Sequence, residues 1–182
     1  MYMTRIILAY GMIAGIIVSV FLIGSIALAN MDGDHGGGSL LFGYLSMLVA
    51  LSMIFVAIKR YRDTVLGGVI KFWPAVLLGL AVAGLASVVY VITWEVYFRA
   101  TDGAFTETYV TSLIEARQEA GVTGAELDAF IQQTRDSMAL YGNWWFRMPM
   151  TFVEIFPVGL IVTLIAAALL RNPGFLPRTA RE

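Results

Sequence analysis

Glu95 and Glu154 are the only acidic residues inside the long apolar stretches of this 182-residue chain. An ionisable group within such a stretch is expensive to keep there, which makes it a functional candidate by default. Glu95 falls about one helical turn before the end of the third stretch, and Glu154 about one turn after the start of the fourth. Antiparallel helices would bring the two to one depth, with Tyr90, Trp94 and Tyr97 nearby. Two carboxylates held together there can share a proton or hold a cation. Pro157, three residues past Glu154, lacks an N–H, so a main-chain carbonyl near Glu154 becomes a further ligand.

Structural ion pairing competes with that chemistry and is the preferred expectation. Arg99 stands four residues after Glu95, the ion-pair spacing on a helix. Arg147 stands two turns before Glu154 and is expected to reach it around Pro149. A carboxylate one turn from the interface can also snorkel to the headgroups. The candidate polar site is therefore Glu95, Arg99, Arg147 and Glu154, read first as ion pairs, second as a proton or cation site, and third as a partner contact.

The elements that must position these residues are four apolar runs: 6–29, 40–58, 72–98 and 150–170. A hydrocarbon core about 30 Å thick needs about 20 apolar residues in a helix, so each run is long enough to span it. Lipid offers no partner for backbone N–H and C=O groups, which leaves helix as the form for each span. Composition agrees: 59% of residues are hydrophobic and 14% charged, against about 45–50% and 25% in soluble domains. The expected fold is all-α, one polytopic four-helix transmembrane domain over 1–182. The first run, with Arg5 before it and Ala27-Leu28-Ala29 at its end, imitates a signal peptide. It is longer than the 7–15 residues of a signal h-region and is expected to stay as the first helix.

Between the third and fourth runs, residues 104–142 form an insertion with its own periodicity. Tyr109, Val110, Leu113, Ile114 and Arg117 keep helical spacing up to Gly121. Leu127, Phe130, Ile131, Thr134, Met138 and Tyr141 resume it afterwards. A short amphipathic helical hairpin is expected, with Thr123 and Glu126 as a capping box. Its apolar stripes are expected to pack on protein, since net acidity gives little attraction to anionic lipid. Trp144, Trp145 and Phe146 read as an interfacial anchor, and Pro149 as a first-turn residue of the last helix.

Eight of the twelve Lys and Arg residues lie at Arg5, in the second connection (Lys59, Arg60, Arg62, Lys71) and in the tail (Arg171, Arg178, Arg181). The positive-inside rule then places both termini in the cytoplasm and the hairpin on the outward face. Basic residues of the second connection are expected to make generic contacts to inner-leaflet lipid. Small residues recur every four positions: Gly11, Gly15, Ser19; Ser46, Ala50; Gly79, Ala83, Ser87; Gly159, Thr163, Ala167. Such faces let membrane helices approach closely, and a tight four-helix bundle or a homo-oligomer follows.

Many chemistries are excluded or unsupported. There is no cysteine, and His35 is the only histidine, so no thiol chemistry is available and no cofactor or metal is expected. The loop Asp32-Gly33-Asp34-His35-Gly36-Gly37-Gly38 lacks the remainder of a calcium loop and reads as a hydrophilic turn. A net charge of −1 gives no reason to expect nucleic acid. No nucleophile elbow or phosphate-binding loop occurs, and a lipid-directed enzyme using the paired carboxylates is the least favoured option.

Several segments together resemble a known family. They are Gly43-Tyr44-Leu45-Ser46-Met47, Lys59-Arg60-Tyr61-Arg62-Asp63, Gly67-Gly68, Trp94-Glu95-Val96-Tyr97 and Phe152-Val153-Glu154-Ile155-Phe156-Pro157-Val158-Gly159. The chain is similar along nearly its whole length to the bacterial membrane proteins of domain-of-unknown-function family 4199. The resemblance implies a four-helix inner-membrane protein with an extracytoplasmic insertion, and no activity. Asn143-Trp144 stands where the pattern has Asn-Pro, leaving the exit geometry of the insertion open. The expected function is a non-enzymatic accessory or scaffold component of the bacterial envelope, with membrane lipid and an envelope protein as partners. The alternative is a small proton- or cation-coupled transporter using Glu95 and Glu154.

Overall fold

A computed structural model describes residues 1–32 and 40–177. Seven helical segments occur among them: α1 (Tyr2–Asp32), α2 (Leu40–Leu51), α3 (Met53–Thr64), α4 (Phe72–Ala100), α5 (Ala104–Glu119), α6 (Ala125–Tyr141) and α7 (Trp144–Leu170). α2 and α3 form one rod, because Ser52 stays helical at φ −57°, ψ −22°. Its N–H still reaches Leu48 O at 2.9 Å, while its hydroxyl turns back to Val49 O at 2.6 Å. Four helices are long and apolar enough to cross a membrane: Tyr2–Ala27, Gly43–Thr64, Phe72–Ala100 and Trp144–Leu170.

α4 lies at the centre and touches α1, α3 and α7. Glycine decides how close these helices come. A methyl group on Gly11 would fall 2.7 Å from a Leu85 methyl, and one on Gly15 2.6 Å from Val89 Cβ. On the other face of α4, a methyl group on Gly79 would fall 2.5 Å from Thr163 Cγ2, and one on Gly159 2.8 Å from the Ala83 methyl. Inside lipid, where burial from water supplies no drive between helices, such close approach is what holds them. The pairing Gly11–Leu85, Gly15–Val89 and Ser19–Thr93 (Oγ–Oγ1 2.9 Å) makes α1 and α4 parallel. Gly79–Thr163 and Ala83–Gly159 make α4 and α7 antiparallel. The start of α1, the end of α3, the start of α4 and the end of α7 therefore share one end of the packed helices.

At the opposite end, α4 closes with a Schellman motif, Gly103 N–H to Phe98 O and Asp102 N–H to Arg99 O. Asp102 and Gly103 take φ of 49° and 73°, reversing the chain into α5. α5 closes the same way through Gly121 at φ 84°, with Val122 N–H on Arg117 O and Gly121 N–H on Gln118 O.

Two details differ from the sequence expectation. The capping box is not formed: α6 starts from Gly124, at φ 65°, ψ −145°, with no side-chain cap. That conformation is open essentially only to glycine, and it moves the helix start one residue past Thr123. α7 begins at Trp144, six residues before the expected 150, so Pro149 lies in its second turn. Asn143 is the N-cap and Trp144 the first helical residue. At the first helical position the backbone N–H has no intrahelical acceptor, so proline, which lacks that N–H, loses no bond there and tryptophan is accommodated equally.

Candidate functional site

The site forms where the end of α4 meets the start of α7. Glu95 and Arg147 are buried, with side-chain exposures of 9% and 4%. The Arg147 Nε donates to Glu95 Oε2 at 2.9 Å, and its Nη2 lies 2.8 Å from both carboxylate oxygens. Its Nη1 donates to Tyr141 O and Gly142 O, each at 3.0 Å, the free carbonyls at the end of α6. A helix C-terminus carries partial negative charge, so the cation is favoured there as well. The guanidinium plane rests on Phe98, 3.8 Å from the ring centroid. All three nitrogens of one guanidinium thus tie α4, α6 and α7 together.

Arg99 completes the carboxylate's shell, donating from Nε to Glu95 Oε1 at 2.9 Å while staying 69% exposed. Aromatic rings extend the junction into the hairpin. Trp94 meets Phe105 edge-on at 4.9 Å, Phe105 stacks on Tyr109 at 5.7 Å, and Phe98 meets Tyr141 at 6.1 Å. Within the hairpin, the Arg117 guanidinium lies 4.7 Å from the Phe130 ring centroid, joining α5 to α6. Burial raises the pKa of the Tyr141 phenol, so it stays a neutral hydroxyl.

Three of the four sequence candidates come together, and one does not. The expected Glu95–Arg99 pair is present, whereas the expected Arg147–Glu154 pair is not. Seven residues separate the latter two by about 10 Å along the helix axis, and Glu95 offers Arg147 a closer carboxylate across the α4 interface. Glu154 lies on the exposed flank of α7, in a row with Met150, Val153, Pro157 and Leu160. It has no hydrogen bond or ion pair among the described residues, and it lines a separate cavity of about 350 Å³ with Tyr141, Met150, Thr151 and Val153. Glu95 lines a different cavity, with Phe98, Arg99 and Arg147. Pro157 leaves Val153 O, not Glu154 O, without its usual N–H.

A second arginine does the same work at the other end and was not singled out from the sequence. Arg62 is fully buried. Its Nη1 donates to Phe175 O at 2.9 Å and Leu170 O at 3.4 Å, its Nη2 to Leu176 O, and its Nε to Asp63 Oδ1 at 2.7 Å. It closes the end of α7 and holds the following turn, where Phe175 packs edge-on against Phe55. Arg62 is thus no lipid-contacting residue of a connection. The signal lay in the pair Arg60 and Arg62: two residues apart on a helix they face opposite ways, so if α3 runs to Thr64 one of them must face inward.

Among the described residues no group of three or more histidines and carboxylates is placed to hold a metal ion. The glycine-rich loop with Asp34 and His35 lies outside the described residues.

Among the described residues every element is a helix, and four of them, apolar and joined by polar staples at both ends, mark a protein of the membrane-spanning class. The chain belongs to the protein family of unknown function DUF4199, whose model matches residues 9–172. No curated protein and no solved structure matches it.

Proposed function

We propose that this protein is a non-enzymatic accessory or scaffold component of the bacterial inner membrane, presenting the α5–α6 hairpin outward to another envelope component. One observation carries it: Arg147 pins the end of the hairpin to two spans while consuming the Glu95 carboxylate. A carboxylate saturated by two guanidiniums is a poor acid, base or cation ligand, whereas a hairpin tied at both ends is a well-presented surface. The hairpin exposes Glu107, Glu115, Glu119, Glu126, Asp128 and Asp136 against Arg117 and Arg135, so its partner is expected to be basic. The scaffold is favoured over the transporter alternative because Glu95 is already paired with Arg99 and Arg147, and Glu154 lines a different cavity.

The test is chemical crosslinking and co-purification of the full chain from native membranes, comparing it with Glu115→Lys/Glu119→Lys/Glu126→Lys. Loss of a stoichiometric partner in the variant is expected. Retention of every partner refutes hairpin docking. Proton or cation flux in reconstituted vesicles that Glu154→Gln abolishes would refute the scaffold in favour of transport.

A further inference from the structure

The four basic residues of the second connection separate by what they touch. Lys59 pairs with Asp63 at 2.6 Å, Arg62 is buried in its staple, and Lys71 is exposed at the start of α4. Arg60, exposed like Lys71, lines a cavity together with Arg5 of α1. The cavity is about 840 Å³, within the range of small-molecule sites, and Tyr2, Tyr10 and Thr64 also line it. Ile6, Ala9, Ile13 and Val65 form its apolar wall. Neither guanidinium has an ion-pair partner among the described residues.

The arrangement is two-part. Two cations sit where α1 begins and α3 ends, at the edge of the spans. The apolar wall runs from them along α1 through positions 6, 9 and 13, towards the middle of the membrane. A soluble anion would use the first part and leave the second empty. A phospholipid uses both, with phosphate on the guanidiniums and an acyl chain along the wall. We propose that the groove between α1 and α3 is a dedicated site for one anionic glycerophospholipid, its phosphate held by Arg5 and Arg60. Arginine suits that role, because its planar donors match phosphate oxygens two at a time. The site is independent of the hairpin and of any partner it holds.

The test is native mass spectrometry of the full chain released from nanodiscs of phosphatidylcholine with one-third phosphatidylglycerol. One retained phosphatidylglycerol per chain is expected. Each arginine near an anionic leaflet accounts for about a fivefold change in affinity, so Arg5→Gln/Arg60→Gln should weaken retention about thirtyfold. Lys71→Gln, at the same end but outside the groove, should leave it unchanged. Ala9→Phe fills the apolar wall with both charges intact and should also expel the lipid. Equal losses in Lys71→Gln, no preference over phosphatidylcholine, or retention unaffected by Ala9→Phe would each overturn the proposal. So would displacement of the lipid by millimolar inorganic phosphate, which would make the groove a soluble-anion site.

Discussion

Arg147→Met removes three contacts to the Glu95 carboxylate and two hydrogen bonds to the closing carbonyls of α6. It leaves Glu95 buried with Arg99 as its one remaining counter-ion, and that side chain is 69% exposed. Breaking a buried pair by deleting one member costs about 3–5 kcal/mol. The orphaned carbonyls add about 1 kcal/mol, because Gly142 is partly rescued by solvent. Arg147→Met should therefore destabilise the protein by about 4–6 kcal/mol. Arg99→Met should cost only about 0.3–0.5 kcal/mol, the worth of an exposed helical pair. The diagnostic variant is Glu95→Met/Arg147→Met. With both charges gone, only the carbonyl loss and repacking remain, so the double variant should be milder than Arg147→Met, at about 1–3 kcal/mol. The assay is equilibrium unfolding of the full chain in mixed micelles of mild detergent and dodecyl sulfate, followed by tryptophan fluorescence. Trp94 reports directly, since it packs against Phe105 beside the junction. A double variant as damaged as Arg147→Met, or an Arg99→Met variant as damaged as either, would refute the staple.

Gly15→Leu should destabilise the same protein by about 1–3 kcal/mol through overpacking against Val89, while Gly24→Leu, with open space around it, should stay within about 0.5 kcal/mol in the same unfolding assay. Gly124→Ala should raise hydrogen exchange across the first turn of α6, the strain being about 1–3 kcal/mol. Thr123→Ala should leave that exchange unchanged, the reverse of what a capping box would give. Thr163→Val should stabilise by about 1 kcal/mol, because the Thr163 hydroxyl is buried without a hydrogen-bond partner among the described residues; a destabilised variant would mean that the hydroxyl is bonded after all.

The spans were legible because one physical requirement, an apolar run of sufficient length, writes itself directly into composition. The close contacts at Gly11, Gly15, Gly79 and Gly159 were legible for a related reason: each helix needs a notch, and glycine at four-residue spacing makes one. The site was legible only in part. Glu95, Arg99 and Arg147 stood out as charges in apolar surroundings, yet chain proximity favoured Glu154 for Arg147. Which carboxylate an arginine takes depends on how far two helices slide along each other, and local spacing does not encode that slide. Arg62 was hidden by a boundary: with the second span ended at Ile58 it belonged to a basic connection, whereas a helix continuing to Thr64 turns it inward. The capping box failed because Thr123 and Glu126 have the right spacing, but the backbone freedom of Gly124 sets where α6 starts.

Membrane insertion with the α5–α6 hairpin on the outward face is the claim on which the proposed role depends. The chain has no cysteine, so single introduced thiols give an unambiguous reading in intact cells treated with a membrane-impermeant maleimide. Ala120→Cys, exposed at the hairpin turn, should label from outside; Leu66→Cys, exposed between α3 and α4, should label only after the membrane is opened. Labelling of Leu66→Cys in intact cells with Ala120→Cys protected would invert the topology and contradict the account.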